Sequence, residues 1–439
     1  MDFLLFALYA AVFICIVFYW NFFDVPGVKR KYFAGVFVLK LICGIAFTQV
    51  YSDHYGSRKT GDAFRFFDDA VILNSSLEEG LDVYLKIFTE IGMREDERAM
   101  TYYNRMTHMQ RPFYMGFFND NATIIKANSL VLHFSRGNYY VHIAFWSFFT
   151  LIGLVAIYKL LAAYFPRKKA AMFLAVFLLP SVLFWASGVL KESILIMGLG
   201  LFVLGFFRWI YGEHSKADIF SLFLGFALLL ITKGYVLQCM APAILGLILV
   251  KAFKGRKFYF WFALPHLLAL ILVFAGGYIS DKLDVPRIMG LKQIAFANVA
   301  EQSNSGSAIE LPEIRQSADV VLHAPEALTT TYLRPWPWEW DKITYIPPAL
   351  ENLFLMICLL LMAWNFKKPY GLAIPILAFS ASFALVMGVL TGEVVSILGA
   401  LVRYKVPSLI FLFVLIFGLT DHIKLQRRFP ALRKLVKSL

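Results

Sequence analysis

Three carboxylates fall within eight residues in the stretch Gly61-Asp-Ala-Phe-Arg-Phe-Phe-Asp-Asp-Ala70, near the start of a polar segment, 51–138. A helix beginning near Asp62 would place Phe66 and Asp69 on the Asp62 face, with Phe67 and Ala70 adjoining and Asp68 turned away. Acids aimed at a surface in this way suit general-base chemistry, with Asp62 as the base and Asp69 as its helper. An Asp N-cap followed by a solvated amphipathic helix uses the same residues, so both readings stand. The basic candidates are Lys191, beside Glu192 at the end of Pro180-Ser-Val-Leu-Phe-Trp-Ala-Ser-Gly-Val-Leu-Lys-Glu192, then Lys233 in Thr-Lys-Gly-Tyr235, Arg334 and Arg403-Tyr404. An ammonium or guanidinium in such a place suits a phosphate, although a hairpin tip that needs only solubility could carry any polar pair. Arg334 lies among Trp336, Trp338 and Trp340, where cation–π contact or a lipid headgroup could hold it, or where it snorkels within an aromatic belt. Arg403 opens a late apolar run and calls for compensation by a phosphate or by a carboxylate such as Glu393.

Other chemistries lack their residues. The histidines, His108 among them, are scattered without metal-ligand spacing, and Cys15, Cys43, Cys239 and Cys358 sit in apolar runs at unrelated spacings. There is no GxSxG, Walker or GxGxxG motif, so a substrate that brings its own activated phosphate fits better than nucleotide-driven chemistry.

The elements that must position these groups are membrane helices. Of 439 residues 59% are hydrophobic and only 16% charged, with a mean hydropathy of +0.67, which excludes a soluble domain. The net charge of +13 comes largely from clusters in short gaps between apolar runs, such as Lys29-Arg30-Lys31, Arg167-Lys168-Lys169 and Lys367-Lys368, and from the tail, 421–439. That is the positive-inside pattern, and it requires no nucleic-acid partner.

The expected fold is all-α: one polytopic integral membrane domain, 1–439, of about eleven transmembrane helices. The runs are 4–23, 33–51, 139–165, 170–188, 189–211, 219–231, 236–250, 258–279, 350–366, 370–390 and 407–420. The first run has no basic leader or cleavage site and reads as a retained span. Basic gaps put the amino terminus outside and the carboxyl terminus in the cytoplasm. Two long extracytoplasmic loops, 51–138 and 280–347, carry surface helices, with helical periodicity at 81–89 and 98–109. Lys191 and Lys233 then tip two outer hairpins, Lys40 of the second span either snorkels to the inner surface or lines the helix bundle, with snorkelling preferred, and acids in mid-span are absent.

Gly61-Asp62-Ala63 with Asp68-Asp69, and Arg403-Tyr404-Lys405-Val406-Pro407, resemble the early acidic motif and the late Arg-Tyr-x-x-Pro-like entry of multi-span C-type glycosyltransferases. O-antigen-polymerase-like proteins have a similar size and layout. The Pro180–Glu192 run also resembles bacterial membrane proteins of surface-polysaccharide synthesis. The likeness covers topology across most of the chain, through short motifs. It implies sugar transfer from an isoprenoid-phosphate-linked donor to a glycan or lipid-linked acceptor at the outer face of a bacterial inner membrane. Lys191, Glu192, Lys233, Arg334, Arg403 and Tyr404 would then bind substrate. The acidic motif is not a strict Asp-x-Asp or Asp-Glu pair, which leaves a divalent metal open. A transporter or flippase of lipid-linked saccharides would line a path with the same charges, and an envelope scaffold would need none of them in particular.

Overall fold

The computed structural model describes residues 2–55, 61–110, 119–212, 215–302, 307–339 and 343–430; Trp340 and the tail beyond 430 lie outside them. Among the described residues the chain is helical, with isolated bridges and no named strand. In order run α1 (Asp2–Tyr19), α2 (Arg30–Tyr55), α3 (Asp62–Ser75), α4 (Leu81–Thr89), α5 (Glu97–Arg105), α6 (Asp120–Ser135) and α7 (Tyr139–Tyr164). Then come α8 (Lys169–Phe177), α9 (Pro180–Trp185), α10 (Lys191–Tyr211), α11 (Lys216–Ala252), α12 (Phe258–Ile279) and α13 (Val285–Gln302). The rest are α14 (Ser317–Leu322), α15 (Ala324–Leu333), α16 (Ile346–Trp364), α17 (Ala373–Val394), α18 (Leu398–Tyr404), α19 (Val406–Leu419) and α20 (His422–Arg428).

Seven of these, α2, α7, α10, α11, α12, α16 and α17, are long and apolar enough to cross a membrane, and α18 with α19 makes an eighth if that pair, bent by 59°, is one span. The count falls short of eleven for identifiable reasons. Helix α1 is a shorter apolar helix. The run 170–188 breaks ahead of Pro180, whose ring disfavours helical backbone in the residue before it, and leaves the short α8 and α9. The runs 219–231 and 236–250 belong to one long element, joined across a single non-helical residue, Lys233 (φ −140°, ψ 76°).

The chain forms two compact units. The first comprises 1–160 and 183–234, the second 161–182 and 235–439. In the first, glycines let helices meet backbone to backbone: a Cβ on Gly153 of α7 would strike the main chain of α10, and one on Gly225 of α11 would do the same. The polar segment is built into this unit. Helix α3 buries Phe64, Phe66, Phe67, Ala70 and Leu73 in a core shared with Phe47 of α2, Ile124 and Ile125 of α6, and Trp146 of α7. Burying one Phe is worth about 1.5–3 kcal/mol, against about 0–1 kcal/mol for an exposed ion pair, so α3 is held as a core helix. Helix α5 starts where the Asp96 side chain accepts from Arg98 N and Ala99 N, and α6 where Asn119 accepts from Ala122 N. Lys86, hydrogen-bonded at 2.8 Å, and then those amides hold the Asp96 carboxyl well below the usual carboxylate range.

In the second unit the basic gaps converge on one end. Lys168 Nζ donates to the carbonyls of Phe417, Gly418 and Thr420 at the end of α19. Phe366 bridges Thr420, and Arg428 donates to Asn365 Oδ1 at 3.1 Å. The starts of α16 and α19 and the end of α17 lie at the other ends of these helices.

Candidate functional site

Helix α3 begins at Asp62, and its two flanking acids converge on one residue, His108. Asp69, only 2% exposed, accepts from Thr107 N at 2.9 Å, His108 N at 2.6 Å and Met109 N at 2.9 Å. Asp62, two turns earlier on the helix, is half-exposed, with Oδ1 3.4 Å from His108 Nε2. One acid therefore fixes the main chain of His108 while the other faces its ring. The segment is closed from its far side by Asn119, whose amide donates to Met109 O at 2.8 Å.

Phe66 walls this pair. Its ring meets the His108 imidazole edge-on at 5.5 Å, and Lys191 Nζ lies 5.4 Å from the same ring centre. Lys191 donates to Asp120 Oδ2 and Asn121 Oδ1, both at 2.7 Å, at the start of α6. Asp62, His108, Phe66, Lys191 and Asp120 are thus linked in sequence by their contacts. The arrangement offers a half-exposed carboxylate beside a largely buried imidazole, an aromatic wall and a cation with its own counter-ion. Asp62 and His108 could each ligate a metal, but no group of three His, Cys, Asp or Glu side chains gathers among the described residues.

Glu192 and Lys233 meet each other, at 2.8 Å, and both are buried. Such a pair is held by its own geometry, and removing one partner strands a charge. Lys233 bonds to Glu192 where α11 leaves helical geometry, so the hairpin-tip reading gives way to a buried clasp. Of the two readings of Lys40, the bundle-lining one fits and the preferred snorkelling one is corrected. Lys40 is fully buried, with Nζ donating to Ala186 O at 2.8 Å and Ser187 Oγ at 2.9 Å, and so tethers the turn that ends at Lys191 instead of snorkelling. Lys40→Ala is expected to take the donor from Ser187 Oγ, while Thr150 Oγ1 still serves Ala186 O, and to cost about 1–3 kcal/mol, read as a lower melting temperature of the purified chain.

In the second unit, Arg334 is clamped by Glu339 within its own loop, and Trp336 N donates to the same carboxylate at 2.7 Å. Trp336 and Trp338 stack on each other at 5.2 Å, and Arg334 is ion-paired with Glu339; Trp340 lies outside the described residues. Arg403 is buried in α18, and no hydrogen bond joins it to Glu393, whose two carboxylate oxygens are without a hydrogen-bond partner among the described residues. Tyr404 stacks on Tyr235 at 6.2 Å and meets the edge of Phe296.

His108, Asp120, Lys405 and Glu351 were missed from sequence. Asn119-Asp120-Asn121 ahead of an apolar run is a helix-start signal that was available. Lys405, fully buried, donates to Asn352 Oδ1 at 2.7 Å, while Glu351 accepts from Ser181 N and Oγ. Buried acids therefore sit near the ends of these long apolar helices. His108 gave no signal, since nothing in its spacing ties it to 62 or 69. No family model, curated protein or solved structure matches the chain.

Proposed function

We propose that the chain is a membrane glycosyltransferase or polysaccharide polymerase acting at the outer face of a bacterial inner membrane, in cell-surface polysaccharide synthesis. The observation that carries it is the convergence of Asp62 and Asp69 on His108, with one acid buried as a clamp and the other half-exposed beside an imidazole. In the reaction, an acceptor hydroxyl gives its proton to Asp62 as its oxygen forms a bond to the anomeric carbon of an isoprenoid-phosphate-linked sugar. The bond from that carbon to the phosphate oxygen breaks, and the lipid phosphate leaves with the electron pair. His108 steadies the Asp62 carboxylate, and Lys191, held by Asp120, supplies positive charge for the leaving phosphate.

A second reading, a transporter or flippase of lipid-linked saccharides, is favoured by the interrupted helices at Lys233 and between α18 and α19. One assay divides the two. Purified chain in proteoliposomes is given a radiolabelled polyprenyl-phosphate sugar and a glycan acceptor. The expected result is a new labelled glycan with release of lipid phosphate. Movement of intact donor across the bilayer with no new glycosidic bond would establish the flippase instead.

A further inference from the structure

The break between α17 and α18 holds a second polar site that the proposed transfer reaction does not use. Glu393 lies in the last turn of α17, only 3% exposed, and neither of its carboxylate oxygens has a hydrogen-bond partner among the described residues. Ser396, three residues on and 7% exposed, has a hydroxyl without a partner among the same residues. A buried carboxylate with no donor is costly, and the end of a helix, where carbonyls face outward, is the wrong place for a negative charge.

Among the described residues, main-chain donors at the break are already engaged. Val395 N donates to Thr391 O, Ile309 N to Ser396 O and Leu398 N to Ser307 O, the last two as part of a short bridge that pins the break. The Gln293 amide donates to Pro312 O and to the main-chain oxygen of Glu393, leaving the carboxylate untouched. The surrounding side chains Val394, Val395 and Leu398 are buried and apolar. Among the described residues no cation is hydrogen-bonded to the carboxylate, and what the site offers is oxygen: a carboxylate and a hydroxyl.

We propose that Glu393 and Ser396 form a binding site for a dehydrated alkali cation at the interrupted end of α17. Oxygen ligands at an unwound helix end, one of them charged, are the set that hard monovalent ions take. The site is independent of the glycosyl-transfer reading.

Sodium is the probe. The full-length chain, purified in detergent, is melted in sodium chloride and in choline chloride at equal ionic strength, with lithium and potassium as further arms. Wild type is expected to show a saturable rise in melting temperature with sodium. Glu393→Gln and Glu393→Met are expected to abolish that response, and Ser396→Ala to shift its midpoint roughly tenfold upward, about the effect of one lost ligand contact. If a Glu393 variant fails to fold, the wild-type titration and Ser396→Ala still decide. The proposal is overturned if wild type responds to none of the cations, or only to acidification, which would make the occupant a proton. An unchanged sodium response in Glu393→Gln would place the cation elsewhere and overturn it equally.

Discussion

Asp62→Asn is expected to lower glycan transfer by about 10²–10⁴-fold, the usual worth of a general base, while the purified protein melts like wild type. The substitution keeps the shape of the side chain at the first position of α3 and removes only its ability to take a proton. Asp62 is half-exposed, and its helix is anchored by buried phenylalanines, so the expected structural cost is small, with a helix-terminus charge effect of about 0.3–1 kcal/mol as one part of it. Binding of the lipid-linked donor is expected to persist, because its phosphate is assigned to Lys191. Asp68→Asn is the control: it changes the same charge on the same helix, away from His108, and is expected to keep most activity. An active Asp62→Asn with a dead Asp68→Asn would move the base to Asp68. Full activity in both would reduce α3 to a structural helix and remove the support for transfer at this site.

What the sequence made legible was what short-range physics controls. Periodicity marked 81–89 as a helix, and α4 occupies those residues; the acidic stretch starts a helix at Asp62, as its spacing implied. Hydropathy showed that the chain is built from apolar helices of membrane-spanning length. Other features required contacts distant in sequence. Asp69 and His108 are thirty-nine positions apart, and Lys191 and Asp120 seventy-one, so no window could join them. Hydropathy also treats every apolar run alike. It did not see that Pro180 splits one run or that Lys233 joins two, because both depend on single backbone angles. The roles of the basic residues were the least legible. Lys233 and Arg334 each have a carboxylate partner, in Glu192 and Glu339, and only the fold reveals which charges are spoken for.

The second large effect is expected at Asp69, and it differs in kind from that at Asp62. Asp69→Ala removes the acceptor, itself only 2% exposed, of three main-chain amides, of which that of Met109 is buried. An orphaned buried donor costs about 1–3 kcal/mol, and such costs are not additive, so a loss on the order of 3–5 kcal/mol is expected. Against a total stability of about 5–15 kcal/mol this is severe, and Asp69→Ala should show a much lower melting temperature and poor yield. Asp69→Asn keeps one acceptor oxygen but turns an N–H₂ group toward the amides, so it is expected to fall between wild type and Asp69→Ala. Hydrogen exchange separates the roles of the two acids. The amides of 107–109 should stay protected in Asp62→Asn and lose protection in Asp69→Asn, because only Asp69 holds them. Activity should fall in Asp69→Asn in step with that protection, since the His108 ring faces Asp62 only while its main chain is fixed. An Asp69→Asn protein with wild-type melting and protection but no transfer would show that Asp69 takes part in the chemistry, and that burial had been mistaken for a structural role.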